Sequence, residues 1–222
     1  MLLDIFLCLV VGYVFGCFQT GYFYGKSKGI DIRNYGSGNA GTTNTLRVLG
    51  KKAGYITYLG DALKAIFAIL LIKYVIYGQL IIPSMDFHLL LAYTGLGVAF
   101  GHNYPFYLNF KGGKGIATTS GVMLALDIRI GLIGIIGFFI IFFATHYVSL
   151  GSLLVYLALV IQLVYFGQTG FFEGMAQPAL TEMYIVAFCL MAMAYWRHRS
   201  NIKKLLTGTE RKTYISKKNK VD

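Results

Sequence analysis

The chain has 222 residues, of which 56% are hydrophobic and 13% are charged, and its mean hydropathy is +0.62. Soluble domains carry about 25% charged residues, so the composition excludes a protein whose whole surface faces water. The net charge is +11, and its meaning depends on where the basic residues stand along the chain.

Seven apolar stretches predict an all-α integral membrane protein of about seven transmembrane helices. A full crossing needs about 20 residues, so the short third and fourth stretches either tilt, enter only part of the bilayer, or extend further than their hydropathy shows. The first stretch lacks a basic n-region and a cleavage site, and we interpret it as a retained span. The stretches lie near 2–25, 54–78, 87–101, 116–127, 130–147, 149–167 and 178–196.

Nothing in the sequence divides the chain into domains. It has no Pro- or Ser-rich linker, and Cys8, Cys17 and Cys189 stand singly in apolar runs without the spacing of a metal site. We therefore predict one transmembrane domain over residues 1–222, with a basic cytoplasmic tail at 196–222.

The basic residues predict the orientation. With seven crossings, segments 26–53, 102–115 and 197–222 share one side of the membrane, and they hold 17 of the 20 Lys and Arg residues. Cytoplasmic loops carry the excess of Lys and Arg. The N-terminus is therefore expected outside and the C-terminus in the cytoplasm.

The first of these segments is dense in hydrogen-bond donors between residues 33 and 47. Its glycines allow backbone amides to approach an anion closely, and Arg47 offers a guanidinium suited to phosphate. Residues 43–49 predict a short helix that ends at Gly50. The neutral donors are Ser37, Asn39, Thr42, Thr43 and Asn44.

The second segment places Lys111 and Lys114 around a glycine pair, directly before a helix that starts at Ile116. This pattern predicts point charges, free backbone amides and the positive end of a helix dipole. The glycine after Lys114 excludes a Walker A loop, because that position requires Ser or Thr.

The third segment follows the last span. His198 and Asn201 are three residues apart and share a face of the predicted helix, while Ile202, Leu205 and Leu206 form an apolar face suited to the membrane interface. A weaker feature, the hydroxyl-rich stretch 147–152, predicts a tight turn on the same side of the membrane.

Several enzyme classes are excluded. Acidic residues are almost absent from the donor-rich segments, so no carboxylate-held Mg²⁺ is expected. No histidine is followed by an aspartate five residues later, and no G-x-S-x-G elbow occurs. We expect no metal and no cofactor.

The motifs at 36–47, 101–115 and 198–210 resemble, in order and spacing, those of the bacterial acyl-phosphate:glycerol-3-phosphate acyltransferases. The resemblance implies a seven-helix protein with its N-terminus outside. It also implies the reaction: an acyl phosphate acylates the sn-1 hydroxyl of glycerol-3-phosphate, giving lysophosphatidic acid and inorganic phosphate. This is the first committed step of phospholipid synthesis.

The resemblance also implies the site. The family's phosphate-binding positions correspond to Ser37, Thr43, Arg47, Lys114 and Ser152. Lys204 stands where the family usually has arginine, which keeps the charge but loses bidentate geometry. The expected catalytic residues are Ser37, Arg47, Lys114, His198 and Asn201. The expected substrate-binding residues are Gly38, Asn39, Thr43, Asn44, His102, Lys111, Gly112, Gly113, Gly115, Ser152 and Lys204.

Some alternatives remain open from the sequence. The proton acceptor is His198, His102 or a substrate phosphate, and the resemblance favours the last. The same donors also suit an anion channel or carrier, or a scaffold that binds anionic lipids, although no internal repeat supports a carrier. We expect a monomer in the bacterial plasma membrane, with an acyl phosphate, glycerol-3-phosphate and the bilayer as partners, no nucleic acid, and the site at the cytoplasmic face.

Overall fold

A computed structural model describes residues 2–77 and 86–214, and within these ranges the chain forms helices and no β-strand. Residue 78, at the end of the second predicted span, and the tail lysines 217, 218 and 220 lie outside the described residues. The helices are α1 (Leu2–Cys17), α2 (Thr20–Ser27), α3 (Thr42–Leu49), α4 (Lys51–Leu71), α5 (Phe87–Asn103), α6 (Ile116–Leu126), α7 (Ile128–Thr145), α8 (Val148–Gln168), α9 (Gln177–Arg197) and α10 (Arg199–Leu206).

Each predicted apolar stretch corresponds to helix in the structure. α1 and α2 share the first stretch and are separated by a break at Phe18 and Gln19, and a π-helical turn at Ile72–Ile76 extends α4. By length and composition, four stretches of the described chain suffice to cross a bilayer: Leu2–Ser27, Ile128–Thr145, Val148–Gln168 and Gln177–Arg197. α6 has 11 residues and is about 16 Å long, so the count of seven full crossings stays a prediction.

α5 lies at the centre of the fold and packs closely along α1. Glycines make this approach possible. A Cβ atom at Gly97 would lie 2.4 Å from the carbonyl oxygen of Leu9, and one at Gly16 would lie 2.2 Å from that of Val98. Close backbone contact through small residues is a common way for helices to associate in membranes.

The buried side chains form two clusters that share α5. Leu89, Met123, Leu159 and Met183 belong to a cluster between α5, α6, α8 and α9. A second cluster joins α1, α4 and α5 and includes Leu91. α5 therefore fixes the relative positions of the helices that carry the donor-rich segments.

The three donor-rich segments meet at one end of the helix bundle. Arg33 donates to the carbonyl oxygen of Leu108 at 3.2 Å, and Arg47 donates to the hydroxyl of Thr213 at 2.6 Å. At the opposite end, the Arg129 guanidinium lies 3.9 Å from the centroid of the Phe171 ring. The expectation that the segments converge is confirmed, whereas the membrane side they face stays a prediction.

The tight turn predicted over residues 147–152 is shorter than expected. The chain reverses at His146, which adopts a φ of 60°, and α8 already begins at Val148. Ser149 and Ser152 therefore belong to the first turns of a helix, because the surrounding residues are apolar and continue the helical stretch.

Gly97→Val is expected to destabilise the protein by about 1–3 kcal/mol or more, because the new side chain meets the α1 backbone, which cannot rotate away. Thermal unfolding in detergent measures the effect. Gly137→Val is the matched control, since a Cβ atom there meets nothing within 4 Å. Equal unfolding midpoints for the two variants contradict the packing.

Candidate active site

A polar cleft opens where the donor-rich segments meet. All five residues expected to be catalytic line it, together with six of those expected to bind substrate. The first group is Ser37, Arg47, Lys114, His198 and Asn201, and the second is Asn39, Thr43, Asn44, His102, Gly115 and Ser152.

One wall is the loop that leads into α3, and Asn44 holds this loop in shape. The buried Asn44 side chain accepts a hydrogen bond from the Ser37 amide at 2.8 Å and donates to the carbonyl oxygens of Ile32 and Tyr35. Both amide protons are therefore used within the loop. Asn44 positions Ser37 at the cleft, and its own amide donors are not available to a ligand.

The Arg47 guanidinium reaches the cleft from α3 and contacts the segment that follows α10. It donates to the Thr213 hydroxyl, and the Thr213 amide donates to the carbonyl oxygen of His146 at 2.9 Å. Burial lowers the pKa of Arg47 from its ordinary value, but an arginine retains its charge at neutral pH. The chain after α10 thus folds back over the cleft and helps to orient Arg47.

The glycine pair before Lys114 has a different role from the one predicted. The Gly112 amide donates to the carbonyl oxygen of Asn103 at 3.2 Å, and the Gly113 amide donates to that of His102 at 3.0 Å. The prediction of free backbone amides at this pair is therefore wrong, because the end of α5 supplies their partners. The two glycines shape the loop that carries Lys114.

Arg197, at the end of α9, fixes the same loop from the other side. Its guanidinium donates to the carbonyl oxygens of Gly112 and Gly113 at 2.8–3.1 Å. Gly113 also packs on the imidazole of His102, where a Cβ atom would lie 2.0 Å from Nε2. A side chain at position 113 would displace the loop and move Lys114.

The N-terminus of α6 faces the cleft as predicted. Gly115 caps the helix in the left-handed conformation with a φ of 85°, and no side chain caps the first amides. Ile116 and Ala117 line the cleft. Uncapped amides at the positive end of a helix dipole favour an anion.

Lys114 heads a chain of hydrogen bonds across the cleft. Its ammonium donates to Oδ1 of Asn201, the Asn201 amide donates to Glu210 at 2.8 Å, and Ser149 donates to the same carboxylate at 2.6 Å. Burial lowers the pKa of Lys114 to about 8, while Glu210 opposes this shift. Lys114 therefore remains largely charged at neutral pH. Because Glu210 accepts from the Asn201 amide nitrogen, the Asn201 oxygen turns toward Lys114.

His198 presents one bare nitrogen to the cleft. Its Nδ1 lies 2.8 Å from the carbonyl oxygen of Ala194, which can only accept, so Nδ1 carries the proton and Nε2 does not. Burial, followed by the charge of Lys114, lowers the pKa of His198 to about 4. The ring is neutral at physiological pH and can accept a hydrogen bond from a ligand hydroxyl.

His102 is tied to a buried ion pair. The Lys64 ammonium lies 2.8 Å from His102 Nδ1 and 3.0 Å from Asp61, and it also donates to the Phe18 carbonyl exposed by the break between α1 and α2. An ammonium has no lone pair, so Nδ1 must be bare and Nε2 protonated. In this tautomer neither ring nitrogen of His102 is free to act as a base.

Five of the expected substrate-binding residues lie outside the cleft lining: Gly38, Lys111, Gly112, Gly113 and Lys204. Lys111 and Lys204 are exposed, although Lys204 is near enough to lower the pKa of Lys114. Ser152 lines the cleft but donates its own proton to the carbonyl oxygen of Val148 at 2.8 Å. It therefore faces a ligand as an acceptor.

Sequence reasoning missed three residues that build the site. Glu210 is the last residue of the third motif and Arg197 directly precedes it, but nothing in the sequence indicated which atoms they would contact. Asp61 lies in an apolar stretch three residues before Lys64. An acid and a base at this spacing share one helix face, and that signal could have identified the buried pair.

Comparisons with known proteins show the family of this chain. The family model described as glycerol-3-phosphate acyltransferase matches residues 6–208. A glycerol-3-phosphate acyltransferase of Thermoanaerobacter sp. (strain X514) is 39% identical over 209 residues, which cover 93% of this chain and 94% of the relative.

Crystal structures of PlsY, an integral membrane glycerol 3-phosphate acyltransferase, share the fold. Its glycerol 3-phosphate form matches with a TM-score of 0.76 and 32% identity, covering 95% of this chain and 96% of the other. Its lysophosphatidic acid form matches with a TM-score of 0.74 and 30% identity over the same shares. The chain is therefore an integral membrane enzyme that belongs to the glycerol-3-phosphate acyltransferase family.

Proposed function

We propose that the enzyme transfers the acyl group of an acyl phosphate to the sn-1 hydroxyl of glycerol-3-phosphate, releasing lysophosphatidic acid and inorganic phosphate. The observation that carries the proposal is an apolar cavity of about 430 Å³ that lies directly beside the polar cleft. Thr42, Thr43, Ile116 and Val148 line both spaces. A molecule with a phosphate head and an acyl chain suits this pair of spaces.

The apolar cavity has the size and lining of a ligand site. Binding cavities typically measure about 300–1,000 Å³ and are mainly apolar. Phe138, Phe139 and Phe142 of α7 line this cavity, and Tyr55 and Leu59 of α4 line it as well. Burial of each methylene there contributes about 0.8 kcal/mol, which favours an acylated donor over a free sugar phosphate alone.

The cleft has the charge needed to bring two phosphates together. Arg47, Lys114 and the N-terminus of α6 supply positive charge, and Ser37, Thr43 and His198 supply neutral polar contacts. Two dianions repel each other strongly where water is excluded. In this proposal Lys114 and Arg47 screen that repulsion and hold the departing phosphate as charge develops on it.

The chemistry requires no covalent intermediate on the protein. The glycerol hydroxyl oxygen forms a bond to the acyl carbon, the bond from that carbon to the phosphate oxygen breaks, and the phosphate leaves with the electron pair. The hydroxyl proton passes to an oxygen of a substrate phosphate, whose second ionisation has a pKa of about 6. The low pKa of His198 and the tautomer of His102 support the substrate phosphate as proton acceptor.

The donor distinguishes this proposal from other acyltransferase reactions. Purified enzyme given glycerol-3-phosphate and palmitoyl phosphate is expected to release inorganic phosphate and form lysophosphatidic acid. Palmitoyl-CoA and acyl carrier protein thioesters are expected to give no product. Efficient turnover with a thioester contradicts the proposed donor. Because the chain belongs to an acyltransferase family, the carrier and scaffold alternatives have no support.

Lys114→Ala is expected to lower kcat/KM at least about a hundredfold, because it removes a half-buried charge that, in this proposal, faces the reacting phosphate. Lys114→Arg is expected to recover little, since the glycine-bounded loop suits a compact ammonium. Steady-state kinetics of folded, membrane-inserted protein measures the loss. Lys111→Ala is the matched control, an exposed lysine outside the cleft, and equal activities for the two alanine variants contradict the assignment.

The pH profile is expected to identify the proton acceptor. If a substrate phosphate takes the proton, the acidic limb of kcat/KM has its midpoint at a pH of about 6 in the wild type and in both His198→Ala and His102→Ala. The two variants then act mainly through KM or folding. Above the pKa of Lys114, which is about 8, activity falls as the ammonium loses its proton.

A histidine base gives a different result. General-base catalysis contributes about 10²–10⁴-fold, so loss of a true base lowers kcat by that factor and removes the acidic limb. For His198 the limb would also start near its own pKa of about 4. A thousandfold loss confined to kcat in one histidine variant contradicts the substrate-assisted route.

The cytoplasmic location of the site is tested by cysteine labelling in a background without Cys8, Cys17 and Cys189. Ser84, which the proposed topology places outside, lies beyond the described residues, so the exposed Glu173 at the far end of the bundle serves as the outer probe. An impermeant thiol reagent is expected to label Glu173→Cys in intact cells and Ser200→Cys only after permeabilisation. Labelling of Ser200→Cys in intact cells contradicts the topology.

A further inference from the structure

The apolar cavity ends at a defined place inside the bundle. On α6, α7 and α8, the lining residues farthest along each helix from the polar cleft are Met123, Gly134 and Val155. A Cβ atom at Gly134 would lie 2.4 Å from Met123 Cε and 3.8 Å from a methyl carbon of Val155. The end of the Met123 side chain therefore lies directly against the Gly134 backbone, with Val155 beside it.

The bundle is tightly packed below this point. Met123 and Val155 are buried and belong to the same core cluster as Ile130, Leu159 and Met183. Interiors of this kind leave few voids larger than a water molecule. A chain that enters from the polar cleft cannot continue between α6, α7 and α8 beyond Met123.

The distance from the cleft to this floor sets how much chain is enclosed. Seven residues separate Ile116 from Met123 on α6 and Val148 from Val155 on α8, which corresponds to about 10 Å of helix. A carbon–carbon bond of about 1.5 Å advances an extended chain by about 1.3 Å. The cavity is therefore deep enough for about eight carbons.

The cavity is open on one side. Among the lining residues, Tyr55 and Leu59 of α4 and Phe139 of α7 are 57%, 55% and 40% exposed, so they mark the open side. In the proposed topology both helices span the membrane, so these exposed apolar residues face the bilayer. The part of a longer chain that passes the floor can leave sideways between α4 and α7 into lipid.

We infer that Met123, Gly134 and Val155 form the floor of the acyl site, so that the enzyme encloses about the first eight carbons of the donor and leaves the rest in the bilayer. The inference rests on the proposed acyl phosphate donor. Its consequence is a positional selectivity. Met123 and Gly134 discriminate between acyl chains that differ in shape near the floor. The distal half of a long chain lies outside the cavity and does not affect kcat/KM.

The test uses three hexadecanoyl phosphates, one unbranched, one with a methyl branch at carbon 8 and one with a methyl branch at carbon 14. Wild-type enzyme is expected to show kcat/KM about tenfold lower for the 8-methyl chain, since one methyl group in a fitted pocket has an effect of about this size. The 14-methyl chain is expected to match the unbranched one. Met123→Ala opens the floor and is expected to abolish most of the penalty at carbon 8.

A second variant tests the floor without relying on branched chains. Gly134→Leu is expected to lower the ratio of kcat/KM for hexadecanoyl to butanoyl phosphate about tenfold, because a four-carbon chain does not reach the floor. Gly137→Leu on the same helix is the matched control, since position 137 lies outside the cavity and has open space around it. Ratios within one variant do not depend on the fraction of folded protein.

The outcomes separate the two levels of the proposal. Equal rates for the 8-methyl and 14-methyl chains in an active enzyme, or equal ratios for Gly134→Leu and Gly137→Leu, overturn the floor. A folded wild-type enzyme that turns over none of these acyl phosphates overturns the proposed donor instead.

Discussion

The site depends on keeping Lys114 charged at one end of a helix bundle. Burial opposes the charge on Lys114, and the hydrogen bond to Asn201, backed by Glu210, supports it. The balance leaves an ammonium that is poorly hydrated and, among residues 2–77 and 86–214, is not paired directly with a carboxylate. In the proposed mechanism, a substrate phosphate that enters the cleft supplies negative charge beside this ammonium.

The rest of the molecule serves to place that lysine. Glycine contacts draw α1 against α5, α5 presents the carbonyl oxygens that bind the Gly112 and Gly113 amides, and Arg197 holds the same loop from α9. Below the loop, the Lys64–Asp61 pair fixes the His102 ring on which Gly113 packs. Small residues thus have a functional effect here, because each one brings a backbone close enough to define the position of a charge.

The sequence predicted the helices and the meeting of the motifs well, because apolar runs and basic loops are local signals. It predicted α3 and its end at Gly50, and the start of α6 at Ile116. It could not predict that the Gly112 and Gly113 amides are occupied, since their partners come from α5. Nor could it reveal the apolar cavity, whose floor depends on how Met123 packs on Gly134 across two helices.

An isotope label tests directly whether the glycerol hydroxyl attacks the acyl carbon of the acyl phosphate. Palmitoyl phosphate labelled with ¹⁸O at the oxygen that joins carbon to phosphorus is given to the purified enzyme with glycerol-3-phosphate. Attack of the hydroxyl on the acyl carbon breaks the carbon–oxygen bond, so all the label is expected in inorganic phosphate and none in lysophosphatidic acid. Label retained on the acyl product shows cleavage between oxygen and phosphorus and contradicts acyl transfer.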